Sequence, residues 1–280
     1  MIKVELISCS MKKEIKKFNI YSRIETFFKK VGLNPENGDV LALSGKYLAI
    51  SEGRFYKLED VVPTDEAYEL AKANDGDPRI AELVLRESEA VMPSFAGIFM
   101  ASVKGMLQPN AGIDKSNIKE GYVVLYPQDP NASARKIRLF VLERYGVKVG
   151  VVVTDSRIYP TRKGTTGIAI GYSGILPIVD ERGSKDLFGK KLKVTKRAIA
   201  DQLATMVQPI MGESNESRPI VLIRGLSEYV VDGDVETELS VSYEEDIYFA
   251  AIKNYLQGKF YPKKQVRAKD NARKALYQGL

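Results

Sequence analysis

Val147-Lys148-Val149-Gly150-Val151-Val152-Val153-Thr154-Asp155-Ser156 is the stretch whose reading decides the fold. It is β-branched, uncharged before Asp155 apart from Lys148, and bounded by Gly146. A run without polar alternation marks a central strand covered on both faces. It delivers Thr154, Asp155 and Ser156 at its C-terminal end, where folds that mix helices and strands often gather ligand groups. A carboxylate after such a run is costly unless paired or metal-bound. Asp155 is therefore the leading site residue, with a cap or turn role as the plain alternative.

Two more small acidic motifs flank it in sequence, Asn110-Ala111-Gly112-Ile113-Asp114 and Met211-Gly212-Glu213. Hard cations such as Mg²⁺ take oxygen ligands and bind through one or two carboxylates plus substrate phosphates. The three motifs together read as a metal–phosphate site drawn from distant loops. Taken singly, Asp114 is equally a turn carboxylate, and Glu213 a solvated residue after a helix-ending glycine. Gly164, Gly167, Gly171 and Gly174 permit close backbone approach to a ligand, or else a tight, bulged strand region. Their spacing fits neither a Walker loop nor a GxGxxG fingerprint. Arg162 and Lys163, just before them, suit a phosphate clamp or a solvated turn. Lys46 is placed on an early strand facing a cleft or solvent. Asp186 and Asp201 read as local caps or pairs.

Outward from the central run, strands are expected over residues 1–10, 40–44 continued by 46–50, 98–103, 123–125, 168–170, 191–195 and 220–223. Helices are expected over 21–32, from 64 to 74 with Thr64 as N-cap, 79–91, from 129 to 145 with Asp129 or Asn131 as cap, 199–211 and 243–256. Beyond Gly258 the chain turns basic and polar, so a main domain 1–257 and a basic appendage 258–280 are expected.

The 280 residues contain no His and one Cys, Cys9. A zinc site lacks its usual ligands, and Ser-His-Asp or Cys-His catalysis lacks its base. Acid–base work falls to Asp, Glu, Lys, Tyr or water. A lone Cys fits a reducing cytosol, and no apolar run suits a membrane span. With 44% hydrophobic residues the chain is globular. The net charge of +6 suits an anionic small substrate. No nucleic-acid motif is visible.

The ordered motifs resemble the coenzyme F(420)-0:gamma-glutamyl ligase family. The resemblance runs from about Gly38 to Leu226. It rests on Gly38-Asp39-Val40-Leu41, Glu52-Gly53-Arg54, Asn110 to Asp114 with Ser116-Asn117, Glu120-Gly121, Asp129-Pro130, Thr154-Asp155-Ser156, Arg162, Gly164, Gly167, Gly171 and Gly174. It continues through Asp186-Leu187-Phe188-Gly189, Ala200-Asp201, Met211-Gly212-Glu213 and Arg224-Gly225-Leu226.

The resemblance implies an α+β, mixed-sheet, two-lobed ligase fold forming an intertwined homodimer. It implies a GTP-using (or ATP-using) ligase that activates an acceptor carboxylate as an acyl phosphate and joins it to L-glutamate. Asp114, Asp155 and Glu213 would hold two Mg²⁺ or Mn²⁺ ions. Asp114, Asp155 and Arg162 would serve catalysis. Asn110, Lys46, Ser116, Thr154, Ser156, Arg162, Gly164, Gly167 and Gly171 would contact nucleotide or substrate. Such chemistry depends on positioning and charge neutralisation and needs no His.

The chain departs from the family in two places. Ile158-Tyr159-Pro160-Thr161-Arg162 replaces a Gly-Arg-Pro-Trp-Arg loop, and Ala49-Ile50 replaces a Ser-Lys pair. A folate-type or other acceptor therefore stands beside the deazaflavin. A non-catalytic relative and a tail-driven nucleic-acid binder are the readings from other classes.

Overall fold

The quoted run becomes a strand with sheet neighbours on both sides. The structure, a computed structural model, describes residues 3–92 and 96–257. Two compact units divide at Leu239/Ser240, ahead of the boundary at 257/258 read from the sequence. The basic segment 258–280 lies outside the described residues.

In chain order the first unit contains β1 (Glu5–Ser8), α1 (Ile20–Val31), β2 (Val40–Ser44), α2 (Gly45–Glu52), β3 (Phe55–Lys57), α3 (Asp65–Asn74), α4 (Pro78–Glu87), β4 (Ala90–Met92), β5 (Met100–Val103) and β6 (Met106–Pro109). It continues with β7 (Tyr122–Val124), α5 (Pro130–Tyr145), β8 (Gly150–Ile158), β9 (Thr165–Ser173), β10 (Ile178–Asp180), β11 (Lys196–Ala198), α6 (Ile199–Met211) and β12 (Ile220–Arg224). The second unit contributes α7 (Ile247–Leu256), whose N-cap Asp246 accepts from the backbone N–H groups of Tyr248 and Phe249.

The main sheet has the order β1-β12-β2-β8-β9. Only β2 and β8 run parallel; the other three pairings are antiparallel. This is the mixed sheet of an α+β protein. Alternate residues feed two cores. Leu41, Leu43, Val151, Val153, Ile220 and Leu222 face one, beside Ile24 and Phe27 of α1 and Ile137 and Val141 of α5. Val40, Ala42, Val152, Val221 and Ile223 face the other, against Leu203, Ala204 and Val207 of α6. Both faces are covered, which is why the central run reads as continuously apolar.

A register shift between Val153 and Thr154 marks a bulge against β9: Val153 pairs with Gly171, and Thr154 with Ala169. β2 ends at Ser44, opposite Thr154. β8 therefore runs on past the end of its parallel neighbour, and Asp155 and Ser156 border the space where β2 stops. Bulges of this kind re-aim side chains next to functional sites.

Several boundaries differ from those read in the sequence. Residues 46–50 belong to the helix α2 rather than a continued strand. A short apolar run does not separate a buried helix from a strand, and the deciding feature is Gly53, a left-handed C-cap (φ 83°). The expected 168–170 strand extends to the nine residues of β9. The strand expected at 191–195 lies instead at Lys196–Ala198, paired with β10. α4 stops at Glu87, and α7 begins at Ile247. The caps fall as read at Thr64 and Asp129. Asn131 instead accepts the Tyr172 N–H at 2.9 Å, tying α5 to β9.

Candidate active site

The site is built where β2 gives way to α2. Lys46, in the first turn of α2, points its ammonium at Asp114 Oδ2, 2.5 Å away, and at Ser116 Oγ, 2.8 Å away. Asp114 is held from both directions. Its backbone exchanges two 2.9 Å hydrogen bonds with Val124 at the end of β7, and its Oδ1 accepts the Ser116 N–H at 2.6 Å. Burial pulls the Asp114 carboxyl up, but the Lys46 ammonium and Ser116 outweigh it and hold the group below the ordinary carboxylate range.

Asp155 lies beside this pair without a cation of its own. It accepts the Ser156 N–H at 2.9 Å. Burial pushes its carboxyl up to about 6; the Ser156 bond and Lys46 oppose this, while the charges of Asp114 and Glu213 reinforce it. Thr154 Oγ1, next in the strand, is buried without a hydrogen-bond partner. Glu213 follows α6 across Gly212. It accepts from Thr165 Oγ1 on β9 at 3.0 Å and from the Gln208 amide on α6.

These residues border two hollows. The larger, about 420 Å³, is also lined by Tyr47, Asn117, the 212–219 turn, and Lys12 and Lys13 of the β1–α1 connection. The smaller, about 310 Å³, is also lined by Gln108, Pro109, Ile113, Leu125 and Tyr126. Lys46, Asp114, Asp155, Ser156 and Glu213 line both.

The structure thus brings together Lys46, Asp114, Ser116, Thr154, Asp155, Ser156 and Glu213 from the sequence-read set. It places the others elsewhere. Asn110 uses its side chain to accept the Phe99 N–H at 2.9 Å. Arg162 and Gly164 lie in the exposed turn between β8 and β9. Gly167 and Gly171 line neither hollow; each backs onto a helix, where a Cβ would stand 2.4 Å from the Ala204 carbonyl oxygen and 2.5 Å from the Pro130 carbonyl carbon. Asp186 bonds locally, to the Phe188 and Lys190 N–H groups. Asp201 does not: it reaches the Ala169 N–H on β9 at 2.9 Å.

Sequence reading missed Gln108, Tyr126, Tyr47, Thr165 and Gln208. Each sits in an ordinary-looking apolar or helical segment. Only a polar residue inside an apolar run marks Gln108 and Gln208.

The donor chemistry fits a hard divalent cation: carboxylates and hydroxyls, with one half-buried carboxylate pressed by two like charges. As the side chains stand, no group of three or more acids or cysteines among the described residues is set to hold a metal ion. Lys46 engages Asp114, and Thr165 and Gln208 engage Glu213.

Fold and site define an α+β protein with an oxygen-donor acidic cleft at the end of a mixed sheet. A family model described as F420-0:Gamma-glutamyl ligase matches residues 13–225, and the chain belongs to that family. Its relatives include three proteins named Coenzyme F420:L-glutamate ligase. The one from Methanopyrus kandleri is 41% identical over 192 residues, 68% of this chain and 76% of the relative. That from Methanocaldococcus jannaschii is 39% identical over 214 residues, 76% and 85% of the two chains. That from Archaeoglobus fulgidus is 38% identical over 221 residues, 79% and 88%. Among the described residues no helix is long and apolar enough to cross a membrane.

Proposed function

We propose that this protein forms an amide bond between L-glutamate and a small carboxylate acceptor, F420-0 or a folate-type acid, using GTP or ATP. The observation that carries the reading is the meeting of Asp114, Asp155 and Glu213, from three separate segments, around one cleft inside the family-matched region. Asp114, Asp155 and Glu213 would hold two Mg²⁺ or Mn²⁺ ions, with Thr154 and Ser156 assisting. Bound there, the ions neutralise charge on the nucleotide phosphates.

The chain's own groups do the rest. Lys46 and Ser116 orient Asp114 and meet phosphate oxygens. Thr165 and Gln208 aim Glu213. An intertwined, two-lobed homodimer and a cytoplasmic setting belong to the same reading; the fully exposed Leu187 and 95% exposed Phe188 offer an apolar tip for a second copy. Light scattering should give twice the chain mass.

The test is glutamate addition read by mass spectrometry, with Mg²⁺ or Mn²⁺, GTP or ATP, and both acceptor types. A glutamate mass increment on one acceptor supports the reading and names the substrate. Nucleotide binding without addition to any acceptor favours the non-catalytic relative.

Lys46 supplies a separate check. It competes with any cation for Asp114, and a partly exposed ion pair contributes up to about 1 kcal/mol, roughly fivefold in an equilibrium. Lys46→Met should therefore tighten Mn²⁺ binding about fivefold in nucleotide-free protein, by calorimetry, while weakening nucleotide affinity. Unchanged Mn²⁺ affinity would remove Asp114 from the ion site.

A further inference from the structure

The residues shared by the two hollows mark where they adjoin, and the proposed reaction needs a place for a second substrate. We propose that the smaller chamber receives the carboxylate end of the acceptor, with the nucleotide's polyphosphate in the larger one and the two meeting at the residues both share. This rests on the proposed function and adds to it the path by which the second substrate enters.

An acceptor carboxylate oxygen forms a bond to the γ-phosphorus. The bond from that phosphorus to the β–γ bridging oxygen breaks, and its electron pair leaves with the nucleoside diphosphate. The glutamate amine then bonds to the acyl carbon, inorganic phosphate leaves with the C–O electron pair, and the amine proton passes to solvent. In the first step the attacking and leaving oxygens lie roughly in line, on opposite sides of phosphorus. Two substrates must then meet at the acids from different directions, and two chambers that share Asp114, Asp155 and Glu213 offer each its own approach.

Charge decides which chamber is which. Beyond the residues both share, the larger is lined by Lys12, Lys13 and Arg218 against Glu14 and Glu216; Glu14 is already paired with Arg23, and Lys12 and Lys13 form no ion pair with the described acids. The smaller has Lys46 as its one basic lining residue. A polyphosphate suits the first. A single carboxylate on an apolar or planar body suits the second, whose walls include Pro109, Leu125 and Tyr126.

The smaller chamber also has donors in waiting. Gln108 and Tyr126, only 6% and 2% exposed, lie side by side. The Gln108 amide is close enough to act on the Tyr126 hydroxyl, yet neither Gln108 Nε2 nor Tyr126 Oη, both buried, has a hydrogen bond of normal geometry. Buried polar groups are rarely left so, and a ligand oxygen would complete them. Burial raises the Tyr126 pKa and keeps the hydroxyl protonated as a donor. The backbone is shaped to hold both side chains. Asn110, Ala111 and Gly112 are three consecutive left-handed residues, with φ of 49°, 52° and 73°. At Gly112 a Cβ would stand 2.6 Å from the Tyr126 ring and 2.9 Å from Gln108 Oε1. Strain of this kind gathers at functional sites.

Tyr126→Phe and Gln108→Leu in the full chain test the assignment, with F420-0, GTP and L-glutamate as substrates. The expected result is a rise in KM for F420-0 of about tenfold or more in each. KM for glutamate, and Kd for a non-hydrolysable GTP analogue with Mg²⁺, should stay within about twofold. Tyr126→Phe removes one oxygen and keeps the ring, so it carries the test if Gln108→Leu fails to fold. An unchanged acceptor KM, a weakened GTP-analogue Kd, or a rise confined to glutamate would overturn the assignment. Wild-type protein that neither binds the analogue nor extends any acceptor brings down the proposed function itself. A wild type that turns over while Tyr126→Phe keeps its acceptor KM brings down this assignment alone.

Discussion

Asp155→Asn should cut turnover about a hundred- to thousandfold and, in the same protein freed of metal, raise the melting temperature. The two effects have one cause. Burial and the like charges of Asp114 and Glu213 raise the Asp155 carboxyl from its ordinary 3.8 to about 6. The folded state then holds a proton that the unfolded state has released. The stability this group contributes is complete below about pH 4 and is lost as pH rises toward 6, a fall of about 3 kcal/mol at 1.36 kcal/mol per unit. Asparagine removes that slope and keeps an acceptor for the Ser156 N–H. At pH 7.5 the metal-free variant should melt about 5 °C or more above wild type. Added Mg²⁺ should raise the wild-type midpoint and leave the variant unmoved. In the proposed site Asp155 is the central anionic ligand, and removing a single stabilising group at a reacting centre costs about a hundred- to thousandfold. Turnover above a tenth of wild type would refute the site. A lower melting point would refute the account of an uncompensated charge.

Gly167→Ala and Gly171→Ala should each destabilise the first unit by about 3 kcal/mol, at the upper end for overpacking. The added methyl at 167 meets backbone of α6, at 2.4 Å from the Ala204 oxygen and 2.8 Å from its carbon. At 171 it meets the first residue of α5, within 2.5 Å of Pro130. Backbone cannot rotate away as a flexible side chain can, so a helix must shift. The consequences then separate. α6 carries Gln208 and leads into Glu213, so Gly167→Ala should also impair turnover per folded molecule. Gly171 packs on the other helix, and its variant should lose stability alone. Urea melts with activity normalised to the folded fraction will distinguish them. Unchanged stability with weakened nucleotide affinity would return both glycines to a phosphate-cradling role.

How far the sequence could be read follows from these particulars. The central strand was legible because a double-sided strand has a signature of its own. The acids at its end were legible because a carboxylate after an apolar run demands a reason. The β2–α2 junction was not, since Tyr47-Leu48-Ala49-Ile50 is buried either way and only the Gly53 cap separates helix from strand. The motif list mixed two kinds of residue that one sequence does not sort. Asp39, 2% exposed, accepts two hydrogen bonds from Arg224 at 2.9 and 2.8 Å, so two distant motif pieces are one internal ion pair. Glu52 accepts from Ser133 Oγ and the Gln128 N–H, and Arg54 pairs with Glu87. These hold the scaffold, as do Gly167, Gly171 and Asp201. Gln108 and Tyr126 escaped notice because what distinguishes them is an unmet hydrogen bond, which exists only after folding.

The strand order has a consequence for how the chain is made. β12 lies between β1 and β2, so β1 has no sheet partner until residue 220 and its neighbours emerge from the ribosome. β2 also waits for β8, more than a hundred residues later in the sequence. During translation the apolar segment around Val40 stays unpaired until β8 emerges, a period in which chaperones bind and unpaired strands aggregate. Glu213 precedes β12 by a few residues and reaches Asp114 and Asp155 at the same late moment. The mutual repulsion of the three acids is thus deferred to the closing event of folding, when the rest of the unit is already in place to contain it.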